Sequence, residues 1–245
     1  MHATVTDGSV ASGRLRARSV AFALVARILG PDTTWLADRD TVATLETALE
    51  TAGERAALRR LDLFDPSGFP DPARLAGRWV RWFDLGRVAP YEGSNVASTA
   101  GGVTPRLADV AGFYRAFNAT VPSDRPDHVV AQLEFLALTL LTEAEALERG
   151  DGELADVAAR ATRSFLRDHI GGWIDAWAAR VGAIDELAPW FPFAAAAAEL
   201  VRGEAAVRNV IPLRVPAALP ADAGVPTDDE AIIECADGAE GDPVP

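Results

Sequence analysis

Apolar residues recur along most of this chain at spacings of three and four, and nowhere in convincing alternation, which restricts the fold to helices packed on helices. The strongest instance runs from about Pro126 to Arg149, where Val129, Val130, Leu133, Leu136, Ala137, Leu140 and Leu141 make one wide apolar face. A helix with such a face needs partners on several sides. This segment is therefore the expected centre of an all-α bundle.

Its partners are legible from the same spacing. Val20, Ala21, Leu24, Val25 and Ile28 form a stripe over residues 14–29, closed by Gly30-Pro31. A second helix is expected from Asp40 as N-cap, with Val42, Leu45 and Leu49 inward, and a third from Asp71-Pro72, presenting Leu75, Trp79, Trp82 and Phe83. Residues 87–104 lack apolar spacing and read as a long loop, the kind of segment that carries function in compact domains. Thr104-Pro105 opens a helix with Leu107, Val110, Phe113, Tyr114 and Phe117. Leu154, Val157, Ala161 and Phe165 mark a further helix, Ile170, Trp173, Ile174 and Trp177 the next, and residues 189–200 the last. The Trp79, Trp82, Phe83 and Trp173, Trp177 sets read as core, and Arg59-Arg60 as an exposed helix pair. Beyond Glu204 the spacing fades into proline, glycine and acid. The expected organisation is a flexible stretch over 1–13, one helical domain over 14–215 with Val210–Leu213 still able to pack, and a mobile acidic tail over 216–245.

Charge and composition narrow the function classes. The net charge of −13 disfavours a sequence-independent grip on nucleic-acid phosphates or on an anionic membrane, and favours a cationic partner. No apolar run approaches the roughly 20 residues of a membrane span, and the stretch after Arg18 lacks a signal-peptide cleavage pattern, so a cytoplasmic protein is expected. Cys235 is the only cysteine, which rules out an intramolecular disulfide. All 23 basic residues are arginine, a bias consistent with a GC-rich genome or a saline cytosol.

The common catalytic signatures are missing: there is no phosphate loop of the Walker kind, no Gly-x-Ser-x-Gly elbow and no His-Glu-x-x-His helix. Asp127-His128 is the only adjacent acid and imidazole pair, and helix capping is the plain reading of Asp127. Glu134 follows two helical turns later, so both carboxylates are expected on nearly the same side, paired with a group such as Arg115 or Tyr114. A small helical enzyme using Asp127, His128 and Glu134 is the competing reading. No catalytic residue, metal site or cofactor is assigned.

The ordered series Pro90-Tyr91-Glu92-Gly93-Ser94, then Asp109-Val110-Ala111-Gly112-Phe113-Tyr114 with Phe117, then Pro126-Asp127-His128 and Gln132-Leu133-Glu134-Phe135-Leu136, resembles the TorD, DmsD and NarJ family of molybdoenzyme chaperones. The similarity continues through Phe165-Leu166-Arg167-Asp168-His169 and Trp173 to Pro192-Phe193, spanning about residues 14–203.

The resemblance implies a single all-α domain of the TorD type and a cytoplasmic, non-enzymatic chaperone of anaerobic respiration. Its partner would be the catalytic subunit of a molybdenum-cofactor oxidoreductase, bound in its apo form or by its twin-arginine signal peptide until the cofactor is inserted. A NarJ-like factor that binds the subunit without an export signal is the nearest alternative, and a purely structural adaptor a more distant one. Monomer and homodimer both remain open. The resemblance places Pro90, Tyr91, Gly93, Ser94, Asp127 and His128 in or near a peptide-binding surface. Glu92 and Asp127 are expected to meet arginines of the client, Tyr91 to supply a flat wall and neutral His128 a hydrogen bond, with Tyr114 and Glu134 in support.

Overall fold

The computed structural model describes residues 3–69, 71–97, 102–121 and 125–213. Among them the elements are all helices and there is no strand, only isolated bridge residues such as the pair Tyr91 and His128. The expected tail over 216–245 lies outside the described residues.

Helix α1 (Ala3–Leu29) starts well ahead of the predicted residue 14 and takes in most of the segment read as flexible. Two short helices, α2 (Thr34–Ala37) and α4 (Arg55–Leu61), flank α3 (Arg39–Ala52). The cap of α3 is Asp38 rather than Asp40: its carboxylate accepts from the Asp40 N–H. Helix α5 (Pro72–Trp79) begins as predicted, with Asp71 accepting from the Arg74 N–H and Pro72 in the first turn, and runs on as a π-helical turn through Asp84.

The loop over 87–104 encloses one helical turn, α6 (Glu92–Asn95), before α7 (Thr104–Ala116). Next come the central α8 (Val129–Arg149) and α9 (Gly152–Asp168), then α10 (Ile174–Gly182) and α11 (Phe191–Val207). Helices α8 and α9 form a tight hairpin, because Gly150 takes the left-handed conformation (φ 73°) that ends α8 and Asp151 at once caps α9 through the Leu154 N–H.

Helix α8 packs most extensively on α1 and α9, α1 also packs on α3, and α11 joins α4 and α10. One continuous core results, holding Phe22, Val25 and Ile28 of α1, Leu133, Leu136 and Leu140 of α8, and Phe83, Trp173, Trp177 and Trp190. The indoles also tie elements together: Trp79 donates to the Leu29 carbonyl at 3.1 Å and Trp177 to the Val88 carbonyl at 3.2 Å. Trp82 is only half buried and donates instead to Glu186.

The buried face of α9 keeps Phe165 as predicted but is otherwise turned from the predicted stripe. Ala155, Ala158, Thr162, Phe165 and Leu166 face inward while Val157 is exposed, because close approach to α8 selects small residues over branched ones. Thr162 and Thr139 meet there, hydroxyl to hydroxyl, at 3.0 Å. Arg60 of the predicted exposed pair reaches Glu199 at 2.7 Å. After α11 the chain returns to the body, where the Leu213 N–H donates to the Arg167 carbonyl at 2.8 Å. No helix among the described residues is long and apolar enough to cross a membrane.

Candidate functional site

Two stretches that carry the family motifs, 88–96 and 125–129, meet as a short antiparallel bridge centred on Tyr91 and His128. The Val129 N–H donates to the Pro90 carbonyl at 2.7 Å, and the Glu92 N–H to the Asp127 carbonyl at 2.9 Å. Backbone bonds thus fix the loop against the start of α8. Within the loop, the Asn95 amide closes the turn by donating to the carbonyls of Ala89 (2.9 Å) and Tyr91 (2.6 Å). Pro90 is buried, Tyr91 and Gly93 are half buried, and Ser94 is exposed.

Asp127 is fully buried and its charge is met by three hydrogen bonds from two groups. The Gly93 N–H donates to Oδ2 at 2.9 Å, and Arg125 forks onto the carboxylate through Nε (3.0 Å) and Nη2 (3.2 Å). The same guanidinium lies over the Tyr91 ring, 3.9 Å from its centroid. Asp127 precedes α8 and does not cap it, contrary to the plain reading of the sequence. The cap is His128, whose Nδ1 accepts from the Val130 N–H at 3.1 Å. Burial pulls the His128 pKa down to about 4 against the opposing pull of Asp127, so the ring is neutral at physiological pH. It packs edge-on to Tyr91 with centroids 5.0 Å apart.

Glu92 is also fully buried. It accepts from Arg106 Nη1 at 2.7 Å and from Gln132 Nε2 at 2.6 Å, and His169 Nδ1 lies 3.3 Å away. Gln132 in turn accepts from the Trp173 indole at 3.2 Å. One carboxylate therefore gathers α6, α7, α8 and the turn after α9. Both acids expected to receive arginines from a client already hold arginines of this chain.

Tyr114 is buried and donates to the Pro126 carbonyl at 2.8 Å, so it supports the Asp127 turn without touching a carboxylate. Burial pushes its phenol far above the ordinary range. Glu134 does not join Asp127: it lies on the outer side of α8, where partial desolvation pushes its carboxyl pKa up against the opposing charge of Arg27 of α1. Arg115 is likewise no partner of either acid and lines a groove instead. That groove, of about 460 Å³, runs beside the site along α7, with Leu107, Ala111, Tyr114, Val121 and Pro126 in its walls. It is mainly apolar and ends at the residue before Asp127.

Sequence reasoning missed Arg125, Arg106, Gln132 and His169 as parts of the site. Gln132 and His169 carried a signal, since both lie in the family motifs, and Gln132 is also a polar residue on the most apolar helical face of the chain. Among the described residues, no group of three or more histidine, cysteine or acidic side chains is placed to hold a metal ion.

The sequence pattern of the family described as nitrate reductase delta subunit matches residues 39–179, more than half of the chain. Two curated relatives agree. The chain is 34% identical over 129 residues to the selenate reductase assembly chaperone protein of Thauera selenatis, covering 48% of this chain and 65% of that one. It is 32% identical over 130 residues to the chlorate reductase assembly chaperone protein of Ideonella dechloratans, covering 49% and 65%. The match therefore spans just under two thirds of each relative's length. No solved structure matches the chain. By the extent of the pattern and the agreement of its relatives, the chain belongs to the nitrate reductase delta subunit family, kin of the TorD, DmsD and NarJ chaperones that its motifs resemble.

Proposed function

We propose that this chain is a cytoplasmic, non-enzymatic chaperone that binds the unfinished catalytic subunit of a molybdenum-cofactor oxidoreductase and holds it for cofactor insertion. The two relatives, named as assembly chaperones of selenate and chlorate reductases, support this class of client. The observation that carries the reading is the Tyr91–His128 bridge. It joins the two motif segments into one surface, next to an apolar groove.

Such a surface suits an arginine-bearing segment followed by apolar residues, as in a twin-arginine signal peptide. Tyr91, Gly93, Ser94 and His128 offer an aromatic wall, backbone and a neutral imidazole, and the groove takes the apolar part. In the unbound chain Glu92 and Asp127 stand behind this surface, each paired with an arginine of its own.

Affinity capture from the native cytosol, with mass spectrometry, tests the class. An apo molybdoenzyme subunit should be the main partner, and its absence from the captured set would sink the reading. Repeating the capture with the client's export signal deleted separates the two modes. Retained binding favours a NarJ-like attachment to the subunit body, a mode to which the match with the delta subunit family lends weight.

A further inference from the structure

We propose that Asp127, Gly93 and Tyr91 form a guanidinium slot that the chain fills with its own Arg125, and that an arginine of the client segment takes over the slot on binding. This rests on the client-binding reading above and assigns that site its chemistry.

The slot is built for a planar cation. A fully buried carboxylate receives the two-pronged fork, the Gly93 N–H fixes one of its oxygens, and the Tyr91 ring covers the face of the cation at 3.9 Å. A lysine ammonium satisfies one of these contacts at a time, whereas a guanidinium satisfies fork and stack together. The slot therefore selects arginine.

Its present occupant is placed to leave. The Arg125 side chain is 43% exposed, so the slot opens to solvent on the side of the cation while the acid stays buried. Arg106 makes the contrast: its side chain is 18% exposed, and its carboxylate also holds Gln132 and His169. Releasing it would dismantle a junction of several helices.

Energetics favour exchange over vacancy. An empty slot strands a desolvated anion, a severe cost, while replacing one guanidinium by another keeps the anion paired throughout. Exchange is thus close to neutral, and net affinity comes from what the client places next to its arginine. Pro126 adjoins Asp127 and lines the groove along α7, so residues following the client arginine find apolar surface at once. Arg125 acts as a plug that shields Asp127 until a competent segment arrives and taxes every other ligand.

Calorimetry with the full-length chain tests this, using a synthetic peptide that carries Arg-Arg followed by Phe and Leu, and its Lys-Lys counterpart. Removing the plug with Arg125→Ala should tighten binding of the arginine peptide by about tenfold, because the competent state no longer competes with the closed one. The lysine peptide should gain little, and Arg125→Ala combined with Asp127→Asn should lose the gain. Ethylguanidinium should raise the melting temperature of Arg125→Ala but not of wild type, and ethylammonium should not. If Arg125→Ala folds poorly, Arg125→Lys, which keeps the charge and breaks the fork, replaces it in every arm.

Equal or weaker peptide binding by the plug-free variants overturns the exchange and leaves the client reading standing. Equal rescue by ethylammonium, or rescue that survives Asp127→Asn, overturns the slot. Peptide binding by neither wild type nor variant, with ethylguanidinium rescue intact, overturns the exchange together with signal-peptide recognition.

Discussion

Gln132 on the central helix donates to Glu92 in the loop at 2.6 Å, across 40 residues of sequence, and both side chains are completely buried. This bond, with the Arg106 ion pair on the other carboxylate oxygen, fastens the candidate site to the core.

Glu92→Ala should therefore destabilise the whole domain. It leaves Gln132 without its acceptor and Arg106 without its counter-ion, and breaking a buried pair from one side costs about 3–5 kcal/mol. Because Arg106 keeps some solvent contact, the lower end of that range is expected. Urea unfolding followed by circular dichroism reads the loss directly. Glu92→Gln retains an acceptor and should cost less. A loss for Glu92→Ala under about 1 kcal/mol, the ordinary effect of a point change, would show that the network is not a keystone.

His128 predicts a specific pH dependence. Above pH 7 the ring is neutral in both folded and unfolded chains and contributes no slope. As pH falls through the ordinary value of 6.5, the unfolded chain gains a proton that the folded chain refuses until about pH 4. Stability attributable to this residue therefore declines over that window and flattens below it, by about 3 kcal/mol at most. His128→Asn keeps a strong N-cap for the Val130 N–H and removes the titration. The stability difference between wild type and His128→Asn should move by that amount between pH 7 and pH 4. A difference that stays constant would mean the imidazole titrates normally.

The helical architecture was legible because it is written in the spacing of large residues, and α8 shows this best: Val129, Leu133, Leu136 and Leu140 are completely buried as their positions demand. The face of α9 was misread for the converse reason, since the inward residues there include Ala155 and Ala158, which a hydrophobicity count undervalues. At the site, Tyr91 and His128 were grouped by the motifs that contain them, and the bridge does bring them together. The electrostatics were not legible. Nothing local marks Arg106 as the partner of Glu92, because the pairing is made by the return of α7 over the loop. Arg125 carries no pattern that marks its role, although it sits two residues from the acid that it neutralises.

Glu134 illustrates how one boundary residue redirects a functional reading. With α8 begun at Pro126, Asp127 and Glu134 share a helical side and suggest paired carboxylates. With α8 begun at Val129, Asp127 lies outside the helix and Glu134 sits apart from it on the outer side of α8, near Arg27. Glu134→Gln should accordingly change stability by less than about 0.5 kcal/mol and leave client binding intact. Chemical denaturation and calorimetry with the arginine peptide check both halves, and a clear loss of affinity would return Glu134 to the site.

Gly93 sets the width of the space behind the loop. A methyl group at this position would come within 3.1 Å of Asp127 Oδ2 and of Val103 Cγ1. Val103 is 39% exposed and can yield, whereas the Asp127 carboxylate is held by the Arg125 fork and by the Gly93 N–H itself. Relief of the contact must push the loop away from the turn, stretching the bond that pins Oδ2. Gly93→Ala is thus expected to cost about 1 kcal/mol, a drop of about 2–4 °C in melting temperature for a chain of this size. Gly93→Val, with two further methyl groups against the same acid, should cost more and also disturb the contact of Arg125 with Tyr91. The diagnostic pairing is Gly93→Val with Asp127→Ala, which removes the contacting oxygen. If the clash with the carboxylate is the cause, the combined loss will be smaller than the sum of the two single losses; strict additivity would place the strain elsewhere in the loop.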